Sequence, residues 1–181
     1  MNRDETDEAE ERIYIGVVGP GNADPSQLHA AESIGRALAG AGWALVCGGL
    51  GGVMAAACRG AVQAGGMTIG LLPGTSRREG NADLTVSIPT GLGELRNGLI
   101  VRASDAVVAI GGSWGTLSEI SLALRTGRPV LGLGTWPIDT GDGSLPTVRP
   151  VDQPEDVVPA LRALLTAASS GTSRSHGKRR S

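Results

Sequence analysis

Glu119 follows Thr116 by three residues, just behind the loop Gly111-Gly112-Ser113-Trp114-Gly115, and here the sequence concentrates its chemistry. A glycine-rich turn leading from a strand into a helix exposes backbone N–H groups at the helix N-terminus, where the dipole favours an anion. The hydroxyls of Ser113 and Thr116 add donors, so Gly112, Ser113, Gly115 and Thr116 are candidate phosphate ligands. Gly48-Gly49-Leu50-Gly51-Gly52 supplies a second nest of N–H groups, and Gly19 opens a third loop. A tight turn explains any one cluster; two at the strand ends of one sheet favour a phosphate site. Glu119 lies one turn into its helix, within reach of such a phosphate, but Thr116-Leu117-Ser118-Glu119 also fits a capping box. Spacing alone does not choose between them. Arg96 and Arg102 can bring positive charge to the same crevice or pair on the surface, the surface being the expected place for Arg102. Trp114 can stack on a ligand's base or pack against its helix, and packing is expected.

The rest of the inventory excludes more than it adds. Lys178 is the single lysine and sits in the tail. Pyridoxal phosphate enzymes need a lysine for the Schiff base and Walker A loops need one for the β/γ-phosphates, so both classes are set aside. His29 and His176 lie in the first helix and the tail, so no histidine is placed as a base. Gly19-Pro20-Gly21-Asn22-Ala23-Asp24 starts like a dinucleotide fingerprint but carries Asp24 in the third glycine's place, and Gly49-Leu50-Gly51-Gly52-Val53-Met54 fails at Met54. NAD is therefore not expected. Cys47 and Cys58 lack metal-ligand spacing and read as buried, reduced thiols, with no metal site.

Charge and aromatic content narrow the partners. The net charge is −2, with acidic residues crowded into 1–12 and Arg174, Lys178, Arg179 and Arg180 in 168–181; both ends are expected to be disordered. Tyr14, Trp43, Trp114 and Trp136 are the only aromatics, too few for a nucleic-acid stacking surface, so no nucleic-acid partner is expected. No apolar run approaches the roughly 20 residues of a membrane span, and no leader pattern opens the chain. A cytoplasmic protein with no membrane partner follows.

The elements that must position these residues alternate regularly. Short apolar runs at residues 13–18, 43–47, 67–72, 84–88, 105–110 and 129–133 read as strands. Helices are expected from Asp24-Pro25 as N-cap and first turn, then at 53–64, 93–103, 116–125 and 154–167, with 134–152 irregular. Continuous apolar strands alternating with helices predict an α/β fold in three layers, a Rossmann-like doubly wound parallel sheet in a single domain at 13–167. Ligands of such sheets bind at the carboxyl ends of the strands, where the loops 19–24, 48–54 and 111–119 fall.

Three motifs in order resemble the LOG ("Lonely Guy") family: Gly48-Gly49-Leu50-Gly51-Gly52-Val53-Met54, Glu94-Leu95-Arg96-Asn97 and Gly112-Ser113-Trp114-Gly115-Thr116-Leu117-Ser118-Glu119. The resemblance spans about residues 13–166 and points to the bacterial branch related to molybdenum cofactor carrier proteins. It implies a Rossmann-like homodimer that hydrolyses nucleoside 5′-monophosphates to free base and ribose 5-phosphate, needing no cofactor. By that similarity Glu119 and Arg96 are catalytic. Gly19, Gly48, Gly49, Gly51, Gly52, Met54, Asn97, Gly112, Ser113, Trp114, Gly115 and Thr116 hold the nucleotide-like ligand. A carboxylate near an oxocarbenium-like centre is coherent chemistry for such cleavage. The sequence departs from the family where its proline is Gly111, its second glycine is Ser113, and the lysine usual after the arginine is Asn97. These departures motivate a rival expectation, a molybdenum cofactor carrier or nucleotide sensor that binds without turnover.

Overall fold

The computed structural model describes residues 12–138 and 147–172, with 168–172 described by backbone alone. The ends expected to be disordered fall chiefly on residues 1–11 and 173–181, outside the described residues. Seven parallel strands form one sheet in the order β4-β3-β2-β1-β5-β6-β7. They are β1 (Tyr14–Val18), β2 (Ala44–Cys47), β3 (Thr68–Leu72), β4 (Val86–Pro89), β5 (Ala106–Ile110), β6 (Val130–Leu133) and β7 (Arg149–Val151). The helices are α1 (Pro25–Gly40), α2 (Val53–Gln63), α3 (Asn97–Arg102), α4 (Trp114–Arg125) and α5 (Val157–Thr172). This is the expected doubly wound α/β arrangement.

Alternation along the strands divides the core between two faces. Ile15 and Val17 of β1 and Val108 of β5 pack with Ala31, Ile34 and Leu38 of α1, Ala57 and Ala61 of α2, and Leu161 of α5. Val18, Val107 and Ala109 pack on the other face with Ile100 and Val101 of α3 and Ile120 and Ala123 of α4. Every residue of β2 and β5 is buried, which is why those strands read as unbroken apolar runs. Among the described residues no helix is long and apolar enough to cross a membrane.

Local chemistry starts α1 as Asp24 and Pro25 predict. The Asp24 carboxylate accepts from Gln27 N at 2.9 Å, and Gln27 Oε1 accepts from Asp24 N at 3.1 Å, closing a capping box. Elsewhere the structure moves boundaries. The helix expected at 93–103 is a 3₁₀ turn, Gly93–Arg96, followed by α3. The strand expected at 84–88 is Val86–Pro89, because Leu84 turns inward against Gly49 and Gly70. The segment expected to be irregular contains β7, whose three residues include Pro150; proline removes a ladder donor and is tolerated at a sheet edge. The last helix runs to Thr172, past its expected end at Ala167.

The α1–α2 contact depends on two glycines. A Cβ on Gly35 would overlap the carbonyl of Ala57, and one on Gly60 would overlap the carbonyl of Glu32. The two backbones touch there, closer than any side chain allows. Helix propensity alone predicts that Gly35→Ala stabilises by about 1 kcal/mol. The packing predicts the opposite sign, a loss of about 1–3 kcal/mol for Gly35→Ala and for Gly60→Ala. Gly40→Ala, at a site with open space around it, should be neutral or slightly stabilising. Urea denaturation of the three variants checks the signs.

Candidate functional site: three loops around a buried charge pair

The strand order reverses between β1 and β5, and that switch point gathers the loops. A Cβ on Gly19 would lie 2.7 Å from both the Ile110 carbonyl and Val53 Cγ1, so the loop after β1 is wedged between the end of β5 and the start of α2. Pro20 O accepts from Val53 N at 3.1 Å, tying the first loop to the second. Gly52, the N-cap of α2, has φ +62° and packs on Pro20 and Gly21, where a side chain has no room. Gly19, Gly48, Gly49, Gly51, Gly52 and the loop 111–116 therefore converge at the carboxyl end of the sheet.

Arg96 and Glu119 meet beneath these loops. Thr116, Glu119, Ile120 and Ala123 are the buried residues of α4, spaced as one helical stripe, so Glu119 stands on the face turned to the core. Arg96, at the junction of the 3₁₀ turn and α3, places Nη1 3.7 Å from Glu119 Oε1. Each residue is only 7% exposed. Arg96 Nη2 donates to Gly48 O at 3.4 Å, Nη1 donates to Asn97 Oδ1, and buried Nε has no partner. The guanidinium occupies the space a Cβ on Gly48 would need. Burial pushes the Glu119 carboxyl up to about 7, the Arg96 charge offsetting only part of that cost. Burial also lowers the proton affinity of Arg96, again partly offset by Glu119.

At the entrance to α4 the capping-box reading of Glu119 is overturned. The cap is Ser113, whose hydroxyl accepts from Thr116 N at 3.2 Å, and Thr116 is the third helical residue. The Ser113 and Thr116 hydroxyls bond each other at 2.8 Å. Trp114 N and Gly115 N, in the first turn of α4, have no intrahelical acceptor, an arrangement that favours a nearby anion. Gly111 has φ +64°, a conformation closed to proline, so the loop follows a path the family's proline could not take.

Other expected residues fall differently. Met54 joins the core cluster of α1 and α2. Asn97 has its side-chain oxygen engaged by Arg96. Arg102 is exposed at the far end of α3, near the amino ends of the strands, and its carbonyl accepts from Arg128 at 3.5 Å. Trp114 does not pack against its helix; it is 81% exposed and meets Trp136 edge-on. Trp136 carried no sequence signal, since it lies in the irregular stretch after β6. Cys47 and Cys58 are buried and free, as expected. Among the cavities described, one of about 410 Å³, lined by Arg12, Trp43, Met67 and Thr85, opens at the amino ends of the strands. Ligands of such sheets bind at the other end, where the loops and the charge pair lie. A cavity of about 270 Å³ beside Gln27, Ile110 and Gly111 belongs to that end.

A doubly wound parallel sheet with glycine loops gathered at its switch point defines a Rossmann-like protein of the nucleotide-binding type. The sequence model of the SLOG cluster4 family matches residues 12–158, and the chain belongs to that family. The fold is shared with the molybdenum cofactor binding protein of the phototrophic bacterium Rippkaea orientalis, 35% identical with a TM-score of 0.80, covering 87% of this chain and 99% of that one. The molybdenum cofactor carrier protein of Chlamydomonas reinhardtii is 37% identical with a TM-score of 0.78, covering 86% of this chain and 99% of that one. An uncharacterized protein of Archaeoglobus fulgidus is 40% identical over 121 residues, 67% of this chain and 80% of the relative. These similarities agree with the resemblance read from the motifs.

The raised Glu119 carboxyl has a consequence for stability. Between the ordinary value of 4.5 and about 7, the folded protein holds a proton that the unfolded chain has released. Stability from this group is therefore full below pH 4.5 and is lost as pH rises through about 7. Glu119→Gln should remove that dependence: more stable than wild type at pH 8 by up to about 3 kcal/mol, with the gap closing toward pH 4.5. Denaturant titrations at the two pH values measure it.

Proposed function

We propose that this chain binds the molybdenum cofactor and seats its terminal phosphate on the first turn of α4. The similarity to two molybdenum cofactor proteins across 99% of each of their chains carries the reading. The residues present fit such a ligand. The N–H groups of Trp114 and Gly115, in the first turn of α4 and without an intrahelical acceptor, suit the phosphate. Among the described residues no cluster of His, Cys, Asp and Glu could hold a metal ion.

A second reading, phosphoribohydrolase activity on nucleoside 5′-monophosphates, is favoured by the buried Arg96–Glu119 pair. A carboxyl at about 7 is poised for proton transfer near neutral pH. In that reaction water adds to the anomeric carbon, the C–N bond breaks, and the base leaves with a proton. Ionised Glu119 would take a proton from the water, while Arg96 balances its charge.

Two assays separate the readings. Protein purified from a cofactor-producing host, treated with acid and oxidant, should release a fluorescent pterin. Incubation with AMP, followed by chromatography for adenine and ribose 5-phosphate, should then show no turnover. Turnover that Glu119→Gln abolishes, with no pterin released, would move the assignment to the hydrolase. We also propose a homodimer. Leu92, Leu95 and Leu99, spaced three and four apart, are exposed, and association would cover them. Light scattering should give twice the monomer mass for wild type and the monomer mass for Leu95→Asp.

A further inference from the structure

We propose that Trp114 and Trp136 form the subsite for the planar heteroaromatic ring of the ligand, next to the loop that takes its phosphate. This rests on the phosphate reading above and adds the two side chains that take the ring, so that a phosphate-bearing heterocycle, pterin or purine, binds in preference to a phosphosugar alone. Trp114 and Trp136 are 81% and 42% exposed, whereas Trp43, the third tryptophan, is buried. A tryptophan left in water forfeits one of the largest burial gains a side chain can make. Here two stand together, one at the start of α4 and one on the stretch after β6, at the carboxyl end of the sheet.

The pair is anchored on the phosphate loop. A Cβ on Gly112 would lie 2.9 Å from Trp136 Cε2, so that indole rests directly on the loop backbone. The ring centroids are 5.6 Å apart and the planes 67° apart, an edge-on contact in which the rings do not cover each other. With so much of its surface in solvent, Trp114 keeps a face open. It is also the first residue of α4, so that ring adjoins the N–H groups proposed to hold the phosphate. A ring joined to its phosphate by a few atoms can engage both at once. Stacking tolerates any flat ring, so the pair admits both sources.

Calorimetric titration of the intact protein with AMP, neopterin monophosphate and ribose 5-phosphate tests this. The expected result is that wild type prefers the ring-bearing ligands. Trp114→Ala should weaken them by roughly 5- to 150-fold while leaving ribose 5-phosphate unchanged, and Trp114→Phe should restore most of the loss. Whichever ring-bearing ligand binds more tightly and loses more identifies the source. If ribose 5-phosphate binds and both Trp114→Ala and Trp136→Ala hold AMP and neopterin monophosphate as wild type does, the ring subsite is wrong and the phosphate reading stands. Absence of binding by all three probes overturns both. A Trp114→Ala variant that loses dimer mass with unchanged affinities makes the pair an interface, which overturns the proposal.

Discussion

Two opposite charges lie 3.7 Å apart with little access to water, at the point where the sheet reverses its winding. Withdrawing such groups from water costs several kcal/mol apiece, and their attraction returns it only when the geometry is held. The surrounding sequence can be understood as that holding. Gly48 leaves the space the guanidinium fills and accepts one of its hydrogen bonds; Asn97 accepts another. Arg96, at the junction of the 3₁₀ turn and α3, reaches Gly48 at the end of β2, and Glu119 stands on the core-facing stripe of α4. The orphaned Nε and the raised carboxyl show that compensation is incomplete. Interactions left short of satisfaction in this way are characteristic of sites kept for function at the expense of stability.

The same end of the sheet gathers three segments that are far apart in sequence. The start of α4 brings its first backbone donors, Trp114 and Glu119, the junction before α3 brings Arg96, and the stretch after β6 brings Trp136. The parallel sheet makes them neighbours by bringing every strand's carboxyl end to one side.

What was legible in the sequence follows from this division. Strands buried on both faces announce themselves as apolar runs, and Asp24-Pro25 announces a helix start, because those signals are local. The meeting of Arg96 and Glu119 is implied by motif resemblance, and the spacing of Thr116, Glu119, Ile120 and Ala123 carries the core-facing stripe that places the carboxylate. Choosing between cap and core for Glu119 required knowing that Ser113, not Thr116, starts the helix, a difference of backbone dihedrals. Trp136 and β7 were out of reach for another reason. Arg149-Pro150-Val151 carries no strand pattern, and it is paired because β6 offers a free edge beside it.

The sheet's two outer strands share a composition with consequences beyond the site. Thr90 donates to Leu72, turning the alternate position, Pro89, toward the open side of β4, where a donor is missing. At the opposite margin Pro150 occupies the middle of β7, again without an N–H to offer. A seven-stranded parallel sheet with bare edges would be a template for strand-by-strand growth. With a proline on each flank, lateral growth is blocked at both ends. Side-chain surfaces, unlike strand edges, allow association to stop at a defined stoichiometry.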